Sequence, residues 1–377
     1  MTSLMIQTYD VGSFPFVGEF EKFLKGVESV DPLLLLLYAE KYSSGRRYFE
    51  EKIVESFLDK AKGGIDIPNY PQFRDMNEMF LNSVNGIEKS KGGYTIVNSL
   101  SIKEKALHIP EVSVLEERAG EISEKIHSPL KVKVCVTGPY TLSSLFPRKD
   151  YKTFSELGQI VSQIVENNSF NNKFGRVELI AVDEPVFGLV DDPLLDHGSS
   201  GREELLKAWE SIFHVIKSKS IRSCIHLHGT SNELFWQAKS LEIVESHVGD
   251  SLYSNERTKT FLEKEDKFLK ASISVTDFDS LIKNHLKTSF KSLDEVALIQ
   301  KVADTWTEIR KGKTDPTLFL ESAEVMEERL RKIIRQFGLE RIPYAGSECG
   351  LRSFPTYESA MECLRRVASA VRSMNKS

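Results

Sequence analysis

Two histidines flank a single leucine in the stretch CIHLHGT, residues 224–230. The run before them, SKSIRSCI, has strand character, and side chains at i and i+2 of a strand point the same way. His226 and His228 therefore project together from a strand end, where two imidazoles suit a metal ion. The spacing alone equally describes a polar exit from a buried strand. Two further strand-like runs end in ligand chemistry. LEIV leads into Glu245 of ESH, with His247 as a reserve ligand, and RIPYAGS leads into Cys349 of ECG. A histidine pair, a carboxylate and a thiolate on one face form a zinc set. Singly, Cys349 reads as a small buried residue and Glu245 as a solvated carboxylate. Their shared placement sets the metal reading level with these alternatives.

The stretch VDEPVFG (182–188) sets Asp183 beside Glu184 at another strand end. Neighbouring strand residues face opposite ways, so only one of the two enters the same space. A single inward carboxylate suits a bound amine or a proton transfer. The alternative is a helix cap or a loop ion pair. No G-x-S-x-G elbow accompanies the serines. A glycosidase pair of Asp183 and Glu245 would leave the HLH stretch and Cys349 without a role.

The elements that must hold these residues alternate. Strand-like segments lie near 7–12, 64–67, 131–136, 177–182, 221–227, 241–245, 268–274 and 341–346, with helical stretches between them. Residues 46–62 carry Phe49, Ile53, Val54, Phe57 and Leu58 at helical spacing. Residues 356–374 do the same from Tyr357 to Val371, with Cys363 beside the stripe as a structural residue. PLLLLLYA (32–39) reads as a buried helix segment, and 191–204 and 253–268 as loops or insertions. About eight strand–helix repeats predict a parallel sheet closed as a (β/α)8 TIM barrel, one domain over 1–377. An open doubly wound sheet would usually carry a glycine-rich phosphate loop, and none is present. In such a barrel, active sites gather at the C-terminal strand ends.

Composition limits the function classes. The chain of 377 residues is 40% hydrophobic and 28% charged, enough for a sizeable core, and its net charge of −5 offers no footprint for nucleic acid or an anionic membrane. The longest apolar run is too short to span a bilayer. The start lacks a signal-peptide layout, and four widely spaced cysteines suggest no disulfide framework, which points to the cytoplasm.

In order along the chain, VGSFP, GGIDI with RDM, TGPYT, VDEP, CIHLHG, LEIVES and SECGLRSFPTYESAMECL resemble the cobalamin-independent methionine synthase family in its catalytic barrel. The resemblance implies a zinc-dependent methyltransferase that makes methionine from homocysteine, with zinc held by His226, His228, Glu245 and Cys349. His228 replaces the family's usual cysteine, which leaves two anionic ligands instead of three. Ser13 and Asp183 match positions that contact the amino-acid part of homocysteine. A further family carboxylate falls at Tyr70, with Gln72 as a compensating polar group. Two departures concern the methyl donor. The family's pterin-stacking tryptophan falls at Leu145. Its proton-delivering histidine falls at Asp279, which could act as the acid only if burial raised its pKa. One barrel also stands in place of two. These departures match the single-barrel, folate-independent members and imply methylcobalamin or a corrinoid protein as donor. The same barrel leaves three alternatives. They are a coenzyme M-like thiol acceptor, the metal-free chemistry of the related uroporphyrinogen decarboxylases, and a non-catalytic metal- or corrinoid-binding accessory protein.

Overall fold

The computed structural model describes residues 5–28, 39–103, 106–290 and 294–376; the expected helix over 32–39 lies outside them except for its last residue. The strands are β1 (Gln7–Thr8), β2 (Val84–Ser90), β3 (Gly93–Ile102), β4 (Leu130–Thr137), β5 (Asn171–Asn172), β6 (Gly175–Glu184), β7 (Arg222–Leu227), β8 (Ile243–Glu245), β9 (Phe268–Ser274) and β10 (Tyr344–Ser347). The main sheet runs β1-β10-β9-β8-β7-β6-β4, and every pair along that path is parallel. It curls. The segment 67–72 makes parallel bridges to both of its edges, Tyr9↔Ile67 and Ser13↔Gln72 on one side and Asn69↔Lys133 on the other.

Strand alternation decides which side chains reach the inside of the curl. Leu179, Ala181, Cys224, Ile243, Tyr9, Ile67 and Tyr344 form a small apolar cluster of their own. Their strand neighbours Ile180, Val182, Ile225, Leu227 and Val244 belong to the larger cluster that faces the helices. Each fully buried aliphatic side chain of this kind contributes about 1.5–3 kcal/mol. Continuing the inward register by two residues places Asp183 after Ala181, His226 after Cys224 and Glu245 after Ile243. The sheet thus delivers three polar residues to one end of its concave side.

The helices supply the outer layer. Ala39–Lys62 buries Phe49, Ile53, Val54, Phe57 and Leu58, and Tyr357–Lys376 buries Ala360, Met361, Leu364, Val367, Ala368 and Val371. Cys363 lies in the second of these, buried, with its sulfur 3.1 Å from the Ser274 hydroxyl. Tyr151–Asn167 begins at a capping box formed by Asp150 and Thr153. It packs on Ser200–Ser218 so closely that a Cβ at Gly158 would stand 2.6 Å from that of Ala208.

Three stretches differ from expectation. β2 and β3 form an antiparallel hairpin that the sequence reading left out, and its Tyr94 amide donates to the Leu145 carbonyl. The 191–204 stretch holds a 3-10 turn (Pro193–Leu195) and the start of the Ser200–Ser218 helix, capped by Ser199. Within 253–268, Glu256–Lys264 is helical because the Asn255 side chain caps it by accepting from the Arg257 amide. Among the described residues no helix is long and apolar enough to cross a membrane.

Candidate metal centre

His226 is the penultimate residue of β7 and is almost fully buried; His228 lies just past the strand end and is half-buried. β8 stops at Glu245, and the chain then turns so that His247 enters the same space from outside the strand. Cys349 follows β10. The ring centroids of His226 and His228 are 5.4 Å apart, and those of His228 and His247 are 4.1 Å apart. The Cys349 sulfur stands 3.5 Å from His228 Nε2. One donor atom from each of His226, His228, His247 and Cys349 lies within 4.8 Å of all the others.

Two devices hold the loops that carry these donors. Glu348 accepts from the Val248 amide at 2.8 Å and the Thr276 amide at 2.7 Å, so the residue before Cys349 ties down the residue after His247. On the other side the Leu351 amide donates to the Ser13 carbonyl at 2.7 Å. A Cβ at Gly350 would lie 2.0 Å from the Ser13 hydroxyl, so only glycine permits that approach.

The polarity of the group fits a metal. Burial by itself would raise the Cys349 thiol, but the three imidazoles gathered around it, His226, His228 and His247, outweigh it and hold the thiol well below its ordinary value. Burial would lower His226, yet Cys349 and Glu245 on either side raise it to about 10. His228 is lowered, chiefly by burial. Zinc takes a thiolate and neutral imidazoles, so its binding here would release the proton that His226 holds. Both ring nitrogens of His226 and the Nε2 of His247 are buried without a hydrogen-bond partner. Buried polar atoms are rarely left unpaired, so these orphans mark a place where a ligand belongs.

Glu245 is not among the four close donors. Its Oε2 accepts from Lys270 Nζ at 2.8 Å and from the Tyr9 hydroxyl at 3.1 Å, while Oε1 stands 3.3 Å from His226 Nδ1. The structure therefore brings together His226, His228 and Cys349 of the expected ligands and adds His247, the reserve. Lys270 was missed in the sequence. A lysine inside the apolar strand FLKASIS was the available signal, since a buried ammonium requires a counter-ion.

The Asp183–Glu184 pair splits as strand alternation requires. Asp183 pairs in register with His226 and is buried, with Oδ1 unpartnered, and burial pushes it up to about 6 although Lys133 and His226 pull the other way. Glu184 points to the helix side and accepts from the Tyr140 amide, the Thr141 amide and Trp209 Nε1. The remaining expected residues are placed as follows. Tyr70 is fully buried, its hydroxyl donating to the Cys135 carbonyl at 3.1 Å and accepting from Gln72 Nε2 at 3.3 Å. Asp279 is exposed in the first turn of the helix Phe278–Ser289, and its Oδ1 accepts from Trp306 Nε1 at 2.7 Å. Nothing joins it to the four-residue group.

No protein-family model matches the chain, and no curated protein matches it. Among solved structures it is similar to a B12-independent methionine synthase from Shewanella sp. W3-18-1, solved in complex with selenomethionine. The identity is 14% and the TM-score 0.58, covering 99% of this chain and 98% of that one. At that identity the likeness is one of fold: an α/β architecture with a curled parallel sheet. Two weaker matches carry no argument. A Xaa-Pro dipeptidase with bound methionine in its active site gives a TM-score of 0.38 at 10% identity, covering 98% and 75% of the two chains. A Glycoside Hydrolase 5 lichenase from Caldicellulosiruptor sp. F32 gives 0.40 at 12%, covering 98% and 96%.

Proposed function

We propose that this chain is a zinc-dependent methyltransferase that methylates the thiol of homocysteine to form methionine, taking the methyl group from methylcobalamin or a corrinoid protein. The observation that carries the proposal is the convergence of His226, His228, His247 and Cys349 with buried ring nitrogens unbonded. Three imidazoles and a thiolate are ordinary zinc donors. Bound zinc supplies the positive charge that keeps a thiol, with an ordinary pKa of about 8.5, as a thiolate at neutral pH. The fold likeness to a methionine synthase supports the reaction class.

The chain's own residues then orient the acceptor. Asp183, beside His226 with a free oxygen, is the partner for the substrate ammonium. Ser13, packed on Gly350 next to Cys349, is a second contact for the amino-acid part. Tyr70 and Gln72 hydrogen-bond each other and are proposed as neighbours of the acceptor. Asp279 lacks the burial that would fit it to deliver a proton, and the Leu145 side chain offers no ring for a pterin to stack on. Both features favour a corrinoid donor, whose cobalt departs without taking a proton. The neutral, fully committed Tyr70 supports a second acceptor, a coenzyme M-like thiol without an amino group.

In this proposal the segment 64–72 completes an eight-stranded (β/α)8 barrel that forms a single catalytic domain over 1–377. The four unpaired cysteines suit the reducing cytoplasm. The test is a donor screen with zinc-replete protein and homocysteine, scored as methionine formed at matched concentrations of methylcobalamin and methyl-tetrahydrofolate. Turnover is expected with methylcobalamin and far slower with the folate. Faster turnover with the folate overturns the donor assignment. Stoichiometric zinc with no methylation of any thiol supports an accessory protein instead.

A further inference from the structure

Glu245 presents an oddity that the metal reading does not resolve. It is fully buried at a strand end in register with His226, where a carboxylate could reach a metal, yet it is not one of the four close donors. Lys270, also fully buried, holds Oε2 at 2.8 Å from β9. The Tyr9 hydroxyl holds the same oxygen at 3.1 Å from beyond β1. Lys270 is anchored in turn, since its ammonium also donates to the Ser347 carbonyl and lies 3.4 Å from the Ser272 hydroxyl. Moving Oε2 of Glu245 onto a metal would strip Lys270 of the oxygen that neutralises it in a dry interior. The other oxygen, Oε1, has no hydrogen-bond partner, and His226 Nδ1, at 3.3 Å, has none either. The two are near enough to bond with a small rotation of the ring.

We propose that Glu245 is a positioning residue that orients His226 through Nδ1–H, leaving Nε2 for the metal, and that Lys270 and Tyr9 fix Glu245 in this role so that His247 takes the fourth ligand place. The inference rests on the zinc reading above. An imidazole ligand is normally steered by such an outer carboxylate, and loss of the partner typically weakens metal binding about 10–100-fold. Lys270 neutralises the charge of Glu245 but leaves Oε1 as an acceptor. The centre then carries one anionic ligand, Cys349, and has the net positive charge that attracts an incoming thiolate.

The test uses the full chain loaded with cobalt(II) in place of zinc, compared with His247→Ala and Glu245→Gln. His247 is half-buried, so its variant is expected to fold. The intact protein should show a thiolate charge-transfer band and X-ray absorption fitted by three imidazoles and one sulfur. His247→Ala should lose one imidazole and alter the visible spectrum. Glu245→Gln should keep the ligand set and the spectrum while cobalt affinity falls about 10–100-fold. In the zinc form, its downfield imidazole N–H proton resonance should move upfield as a charge-assisted bond becomes neutral. A purely structural Glu245 would leave that resonance in place, which overturns the inference. So does an unchanged spectrum in His247→Ala with a changed ligand set in Glu245→Gln, which would make Glu245 the ligand. A wild-type protein without the thiolate band overturns the zinc reading itself, and the inference with it.

Discussion

Two polar regions are buried within the same curled sheet, and they are built differently. In the first, Asp10 accepts from Lys60 Nζ at 2.7 Å on one oxygen and from the Asn69 amide at 2.7 Å on the other. Lys60 also reaches the Asn69 carbonyl, and Lys133 donates to the Val11 carbonyl at 2.7 Å. Lys60 and Asp10 answer each other, and Lys133 is held by the Val11 carbonyl and the Asn69 side-chain oxygen. In the second, the strand ends gather three imidazoles, a thiolate and two carboxylates. The nitrogens of His226, Nε2 of His247, Oε1 of Glu245 and Oδ1 of Asp183 are left without partners. A complete network rigidifies the fold, whereas an incomplete one at this depth is costly unless a ligand completes it. The first region is complete in itself, and the second has room for a ligand's bonds.

That contrast can be broken by exchanging the expected effects. The largest is predicted for Cys349→Ser, which removes the only anionic donor of the close group. Zinc affinity should fall by more than the roughly 100-fold that loss of an outer partner causes, and methyl transfer should fall with it, while the unfolding midpoint of the metal-free protein stays near wild type. Cys363→Ser, changed in the helix layer, should retain zinc; equal zinc loss in the two variants would contradict the assignment. Lys60→Met should act in the opposite sense. It strands a buried Asp10 carboxylate and should lower stability by about 3–5 kcal/mol in urea titrations, yet bind zinc normally in whatever fraction remains folded. Zinc loss from folded Lys60→Met would show that the two regions are one.

Smaller changes sharpen the boundary. Glu348→Ala leaves the Val248 and Thr276 amides without their acceptor, which should cost about 1–3 kcal/mol. By loosening the His247 and Cys349 loops it should weaken zinc about 10-fold, the lower end of outer-partner effects. Competition with a chromogenic chelator reads this directly. Asp279→Asn should be the smallest. The amide can still accept from Trp306, and methyl transfer from methylcobalamin should stay within about twofold, the range of surface substitutions without a buried partner.

The site was legible wherever strand alternation governed it. Asp183, His226 and Glu245 could be placed on one face because two-residue periodicity carries each inward from Ala181, Cys224 and Ile243. The same rule could not place His247. β8 ends at Glu245, and past a strand end the direction of a side chain depends on the turn, here one pinned by Glu348 from a distant loop. Nor could it give the role of Glu245, which is decided by Lys270 on a neighbouring strand and Tyr9 at the far end of the chain. The β2–β3 hairpin escaped because VNGIEKSKGGYTIVNSLSI is mostly solvent-exposed and gives only a weak alternation. Its adjacent glycines at 92 and 93 mark the turn, while Asn85-Gly86 offers a second turn signal inside the first strand. The run 64–67 read as strand-like from its apolar pattern, whereas the structure gives 67–72 only isolated bridges to both edges of the sheet.

The central claim is that the group of His226, His228, His247 and Cys349 holds a zinc ion that receives the acceptor thiol. Zinc X-ray absorption on the intact protein, with and without homocysteine, tests it most directly. About one zinc per chain is expected, with a single sulfur neighbour from Cys349 before addition and a second sulfur after it. A protein that binds no zinc, or a zinc whose sulfur count is unchanged by homocysteine at saturating concentration, would contradict it.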